Sequence, residues 1–267
     1  MSLKNLFTIG SANIIGTGLS GLFWFILASL ISVEDYGSLH YFVGIASIAY
    51  GISCLGTIHT FTVYTAKNIQ LHSTLFSLSF IGGIISSVVL YAVFNRIDVL
   101  FLTFGYIISS MAIGIQFGQK SFERYAKLLL LQKGLTLCLG LGFYFVFGIE
   151  GVISALALSY VCYLFIIIKE YKKTKFSFSL FKEKFRFIRN NYLVILTGVF
   201  REHVDKLVIV PILGFGYLGN YALASQVIVI LMIIPSTVFK YILPFDSTGK
   251  PNRKIKAYTI LSSIMLF

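Results

Sequence analysis

Apolar residues fall in long uninterrupted runs separated by short polar breaks, with no sustained alternation of two-residue period. A spanning helix needs about 20 mostly apolar residues. On that measure the pattern predicts helices at 6–31, 39–56, 73–94, 99–117, 128–148, 151–168, 191–214 and 220–244. A ninth run opens near residue 257 and reaches residue 267 after about 11 residues. Half a spanning helix leaves backbone carbonyls unpaired in hydrocarbon. The expectation is therefore a chain cut within its ninth helix. The predicted fold is an all-α integral membrane protein, a polytopic helical bundle of about eight complete transmembrane helices plus the start of a ninth.

Composition agrees. Of 267 residues, 57% are hydrophobic, 16% aromatic and 12% charged, and the mean hydropathy is +0.87. Soluble domains carry about 25% charged residues, so a water-soluble enzyme, a secreted disulfide scaffold and a disordered chain are all excluded. A transmembrane β-barrel would show segments of about 10 residues with alternating polarity, and it is excluded by the run lengths. Cys54, Cys138 and Cys162 are isolated within apolar runs, the pattern of buried thiols rather than of a metal site or disulfide framework. His40, His59 and His72 lie near helix ends without ligand spacing, and nothing points to a cofactor. The first apolar run is too long for the h-region of a signal peptide and reads as an uncleaved helix.

The net charge of +12 suggests nucleic acid until the cations are located. With the N-terminus inside, the segments on one side hold 17 Lys and Arg, with Lys133 and Lys240 near inner helix ends. The other side holds Arg96 against Glu34, Asp35, Asp98 and Glu150. That is the positive-inside signature of a cytoplasmic membrane protein, and it accounts for the charge with no nucleic-acid partner. Three regions follow: a six-helix lobe over 1–168, a basic cytoplasmic linker over 169–190, and the start of a second lobe over 191–267. Within the linker Leu180, Phe181, Phe185, Phe187 and Ile188 share one arc of a helical wheel, with Lys182, Arg186 and Arg189 opposite. This predicts either an amphipathic helix on an anionic leaflet or a solvated basic linker.

After the linker the chain restarts as it began, with a long helix, a short outer turn ending in Gly and a second helix. At an offset of 182 residues Asp35-Tyr36-Gly37 overlays Tyr217-Leu218-Gly219. An even number of helices per unit makes this a parallel repeat about an axis along the membrane normal. Small-residue spacings at Gly114-x-x-x-Gly118 and Gly134-x-x-x-Cys138-x-x-x-Gly142 predict close-packing faces. Pro211 and Pro235 are candidate kinks.

Several short motifs resemble the polysaccharide-export flippases of the multidrug/oligosaccharidyl-lipid/polysaccharide superfamily. They are Ser32-Val33-Glu34-Asp35-Tyr36-Gly37, Gly148-Ile149-Glu150-Gly151, Val204-Asp205-Lys206-Leu207-Val208-Ile209 and Leu218-Gly219-Asn220-Tyr221-Ala222-Leu223-Ala224, with Pro235 and Pro244 beyond. The resemblance implies a protein of 12 to 14 helices in two lobes. Its implied activity is flipping of polyprenyl-pyrophosphate-linked oligosaccharide by alternating access, with that glycolipid as partner. A multidrug antiporter of the same superfamily is the alternative. Such antiporters typically keep a carboxylate among their first six helices, and here none lies at mid-depth. A membrane glycan polymerase or glycosyltransferase is the rival from another class. It would need clustered acids on a long loop, and the outer loops are only a few residues long.

The candidate site is Arg201-Glu202-His203-Val204-Asp205-Lys206. Starting about ten residues into its predicted helix, or roughly 15 Å, it falls near mid-membrane. Four bare charges there would cost on the order of 10 kcal/mol. Pairing of Arg201 with Asp205 and of Glu202 with Lys206 at i,i+4 spacing is expected to lower that cost. Arg201, Glu202, His203, Asp205 and Lys206 cover about 200° of the wheel, which predicts a face turned to a hydrated cavity or to another helix. Lys133, about one turn into its helix, is a weaker cavity candidate.

Overall fold

In the computed structural model, residues 3–231 are described. The apolar runs become α1 (Leu3–Leu30), α2 (Val33–Ser53), α3 (Ile58–Ala66), α4 (His72–Phe94), α5 (Ile97–Gly118), α6 (Phe122–Phe147) and α7 (Ile149–Ser159). A 3₁₀ turn at Tyr160–Tyr163 joins α7 to α8 (Leu164–Tyr171), and α9 covers Phe178–Leu231. No strand occurs among the described residues. Six of their helices are long and apolar enough to cross a membrane, and the bent α2–α3 pair makes a seventh if it is one span. The expected end of helix eight, the ninth segment, Lys240, Pro235, Pro244 and the 250–256 loop lie outside the described residues.

Three boundaries differ from expectation, each for a local reason. The second span starts at Val33 rather than 39, because Ser32 caps it: its Oγ accepts from the Asp35 amide at 3.1 Å and donates to Asp35 Oδ2 at 2.8 Å. Glu34 and Asp35 then sit in the first turn, where the helix dipole favours acids. The same span breaks near Gly56 and resumes as α3 after a 44° bend. Thr57 caps the new start, and the Gly56 amide donates to Ser79 Oγ at 3.1 Å. Finally, the amphipathic segment forms the start of α9, which runs on from Phe178 without a break before Gly214. Part of its apolar arc is engaged by protein. Phe181 and Ile188 are buried with Tyr64, Leu71, Ile166 and Ile167, and the Tyr64 ring lies tilted against Phe187 at 5.2 Å. Phe185 and Phe187 keep exposed edges.

The polarity of the bundle is inverted relative to a water-soluble one. Large apolar side chains point outward along whole helix faces, as at Ile81, Ile84, Ile85, Val88 and Val89 on α4. Hydroxyls and amides lie inside, hydrogen-bonded to one another: Gln132 Nε2 donates to Thr136 and Ser159, and Tyr50 donates to Ser110. A lipid solvent requires this arrangement, because unpaired polar groups in hydrocarbon cost several kcal/mol. The protein is a multi-pass membrane protein. Gly114 and Gly118 pack α5 onto α3, where added Cβ atoms would meet Ile58 O and Thr62 O, each at 2.7 Å. The second small-residue stripe packs against no other helix among the described residues: a Cβ added at Gly134 or Gly142 would meet nothing within 4 Å, and Cys138 is exposed. The expectation of three buried thiols holds fully only for Cys54.

Candidate functional site at the α2–α9 contact

The helix α9 is two arms. At Gly214 the backbone leaves helical geometry (φ 83, ψ 175), three residues after Pro211. Proline removes an amide donor and crowds the preceding turn, and glycine accepts the positive φ that follows. The Tyr221 hydroxyl donates to Asp205 Oδ2. Sixteen residues apart on a straight helix would separate them by about 24 Å, so the second arm folds back beside the first. The reversal falls where the sequence ends its seventh predicted helix.

The two turns of the repeat meet. A Cβ on Gly37 would lie 1.9 Å from Phe215 O and 2.9 Å from Gly219 N, and one on Gly219 would lie 2.2 Å from Val33 O. Val33 and Phe215 are themselves 182 residues apart, as are Gly37 and Gly219 and the two breaks, Ser32 and Gly214. The contact is thus reciprocal, each glycine admitting the other turn's carbonyl, as a local two-fold relation between the turns requires. From there the first arm runs along α2. Gly44 faces Lys206, Gly51 faces Val199, whose Cγ1 a Cβ there would meet at 3.0 Å, and the Tyr192 hydroxyl donates to Ile52 O at 2.9 Å.

The charged stretch lies on this first arm, with Lys206 eight residues before Gly214, about 12 Å along the helix. It is nearer the reversal than the helix start, because α9 begins earlier than the expected helix. The expected i,i+4 pairs do not form. Arg201 approaches Glu202 at 4.0 Å on the exposed side, with side chains 78% and 66% accessible. Asp205 accepts from the Lys206 amide at 2.8 Å and from Tyr221. Lys206 turns toward α2, where Gly44 leaves it room: a Cβ there would meet Lys206 Cδ at 3.2 Å. Its Nζ lies 3.1 Å from His203 Nδ1. An ammonium has only donors, so with Lys206 charged that nitrogen accepts.

Sequence reasoning missed the other wall. His40, buried at 5% exposure, lies within electrostatic reach of Lys206 and His203. It packs against Trp24 at 4.4 Å and Tyr36 at 4.6 Å. Its Nε2 and the Tyr36 hydroxyl are buried with no hydrogen-bond partner among the described residues. Tyr36, His40 and Gly44 are spaced i, i+4, i+8 on one face of α2. That register becomes visible once Ser32 is read as the cap. Lys133 sits apart, on α6 facing Gly16 of α1, where an added Cβ would meet its Cγ at 3.5 Å.

Beside the cluster, Leu207 lines a groove of about 430 Å³ between α2 and α4. Its walls are Ile45, Ile48, Ile52, Ile85 and Val89, and its polar members, Ser53 and Ser86, bond to each other at 2.7 Å. The cluster therefore adjoins an apolar trough.

No family model matches the sequence, and no curated protein does. Solved structures do match. One is the crystal structure of a MATE protein in complex with Br-NRF, with TM-score 0.62, 17% identity, 98% of this chain and 73% of that one. Another is the outward-facing conformation of a multidrug resistance MATE family transporter of the MOP superfamily. It gives TM-score 0.62, 18% identity, 98% of this chain and 69% of that one. The fold is that of the MATE transporters. At these identities the likeness concerns the backbone path, and it spans nearly the whole chain. The MATE fold thus accommodates, in this chain, a cationic and aromatic cluster at the α2–α9 contact.

Proposed function

We propose that this protein is an alternating-access transporter of the MOP superfamily that moves a polyprenyl-pyrophosphate-linked oligosaccharide across the cytoplasmic membrane. Its N-terminus is inside, and the basic loops and the start of α9 lie along the anionic inner leaflet. The observation that carries this reading is the composition of the α2–α9 cluster: Lys206 and His203 lie 3.1 Å apart with His40 in electrostatic reach, and the nearby Asp205 and Glu202 form no ion pair with Lys206 among the described residues. A basic group in a membrane interior whose charge is not closed by an ion pair attracts an anionic ligand, and a pyrophosphate has that charge. The trough lined by Leu207 suits an isoprenoid tail beside such a head group. Arg201 and Glu202, exposed on the same stretch, extend the polar surface for sugars.

The experiment is flipping of a fluorescent polyprenyl-pyrophosphate glycan in proteoliposomes. Translocation by the wild type, with its loss in Lys206→Met, supports the reading. Equal rates in the two proteins would overturn it. A second reading, multidrug export, rests on the printed names of the two MATE structures. Extrusion of cationic dyes by the same vesicles, with no glycolipid movement, would establish that reading in its place.

A further inference from the structure

A second groove, of about 360 Å³, lies on the opposite side of α4, between it and α8. Ser77 and Phe80 of α4 form one wall, Ile167, Ile168 and Tyr171 of α8 the other, and Lys172 stands at its mouth. We propose that this groove is a binding site for an anionic phospholipid of the leaflet on the basic side.

The groove is graded along its length. Lys172, the Tyr171 hydroxyl and the Ser77 hydroxyl, 3.4 Å from it, lie at the end where the loops gather. Phe80, one turn beyond Ser77 on α4 and so about 4.5 Å deeper, lies with Ile167 and Ile168 at the apolar end. Stacking on Phe104 at 5.9 Å fixes the Phe80 ring, so that wall is preformed. Such a gradient matches a molecule with a phosphate at one end and a hydrocarbon chain at the other. A free phosphate leaves the apolar half unused.

Charge selects the anionic class. Lys173 is engaged by Glu170 at 2.5 Å, and Glu170 also accepts from Gln119 at 3.1 Å. Lys172 has no carboxylate partner among the described ion pairs, and Lys169 and Lys175 flank it. The first turn of α4 adds the positive end of its dipole. The loop 172–177 is fixed to that turn: Thr174 Oγ1 accepts from the Ser73 amide at 2.9 Å, and Thr74 Oγ1 accepts from the Ser177 amide at 2.9 Å. The cation at the mouth is therefore held on a braced loop, and the site is independent of what the transporter moves.

The full chain, purified in mild detergent from vesicles of equal phosphatidylglycerol and phosphatidylcholine, is analysed by native mass spectrometry for retained lipid. The wild type is expected to retain phosphatidylglycerol in preference. Lys172→Glu lowers that retention roughly fivefold, while Lys172→Arg keeps it. Ile168→Trp, at an exposed position that tolerates bulk, fills the trough and lowers retention of both lipids. Wild-type retention in Lys172→Glu and Ile168→Trp would overturn the proposal. So would an equal loss in Lys182→Glu on α9, which would indicate diffuse attraction, or displacement of the lipid by inorganic phosphate.

Discussion

The two ends of the contact between α2 and α9 are built from different materials. At the reversal end, backbone meets backbone: Gly37 and Gly219 each admit the other turn's carbonyl, with no charge involved. About 12 Å along the first arm, side chains meet instead, and Lys206, His203 and His40 gather with Asp205 and Glu202 near but not ion-paired to the lysine. The glycine end specifies geometry, and any side chain there collides with backbone that cannot rotate away. The cationic end is a local cost in stability, because a charge held in a membrane interior is expensive. One helix pair thus carries a backbone contact at one end and a polar side-chain cluster at the other.

The comparison can be broken most directly at the glycines. Gly37→Val or Gly219→Val is expected to destabilise the protein by about 3 kcal/mol or more, read as loss of a monodisperse peak and a collapsed thermal midpoint in detergent. A wild-type midpoint would mean the turns do not meet as described. Next, Lys206→Met should have the opposite sign. Removing a half-buried cation that forms no ion pair among the described residues is expected to raise stability by on the order of 1–2 kcal/mol, while transport is lost. If stability and transport fell together, the lysine would be structural. Tyr221→Phe removes the bond to Asp205 that ties the arms together and should cost about 1 kcal/mol, seen as faster proteolysis near Gly214. The smallest effect is expected at Arg201→Gln, whose side chain is exposed. Its midpoint should move by less than about 0.5 kcal/mol. A larger loss of transport than in Lys206→Met would shift the site's centre from the α2 side to the exposed side of α9.

The spans were legible because a lipid solvent writes them as long apolar runs, and runs of this length have few alternative folds. Their ends were less so. Glu34 and Asp35 read as an outer loop, yet they are the first turn of α2, because acids cap a helix start as readily as they line a loop. The basic residues from Lys182 to Arg189 read as a linker, and they continue into α9 because Lys and Arg are good helix formers. Distances between segments were not legible at all. The 182-residue offset could be seen, but not that the related turns touch. For the same reason the i,i+4 rule proposed partners for Arg201 and Lys206 within their own helix. The structure instead gives Lys206 a neighbour on α2, because Gly44 opens a space there that only three-dimensional packing reveals.

The reversal at Gly214 also bears on biosynthesis. Within its own arm Asp205 has one donor, the Lys206 amide, and the second comes from Tyr221 on the other arm. A pair of arms tied at an acid in this way is expected to enter the bilayer together as a hairpin, since separating them would strip a donor from a carboxylate in hydrocarbon.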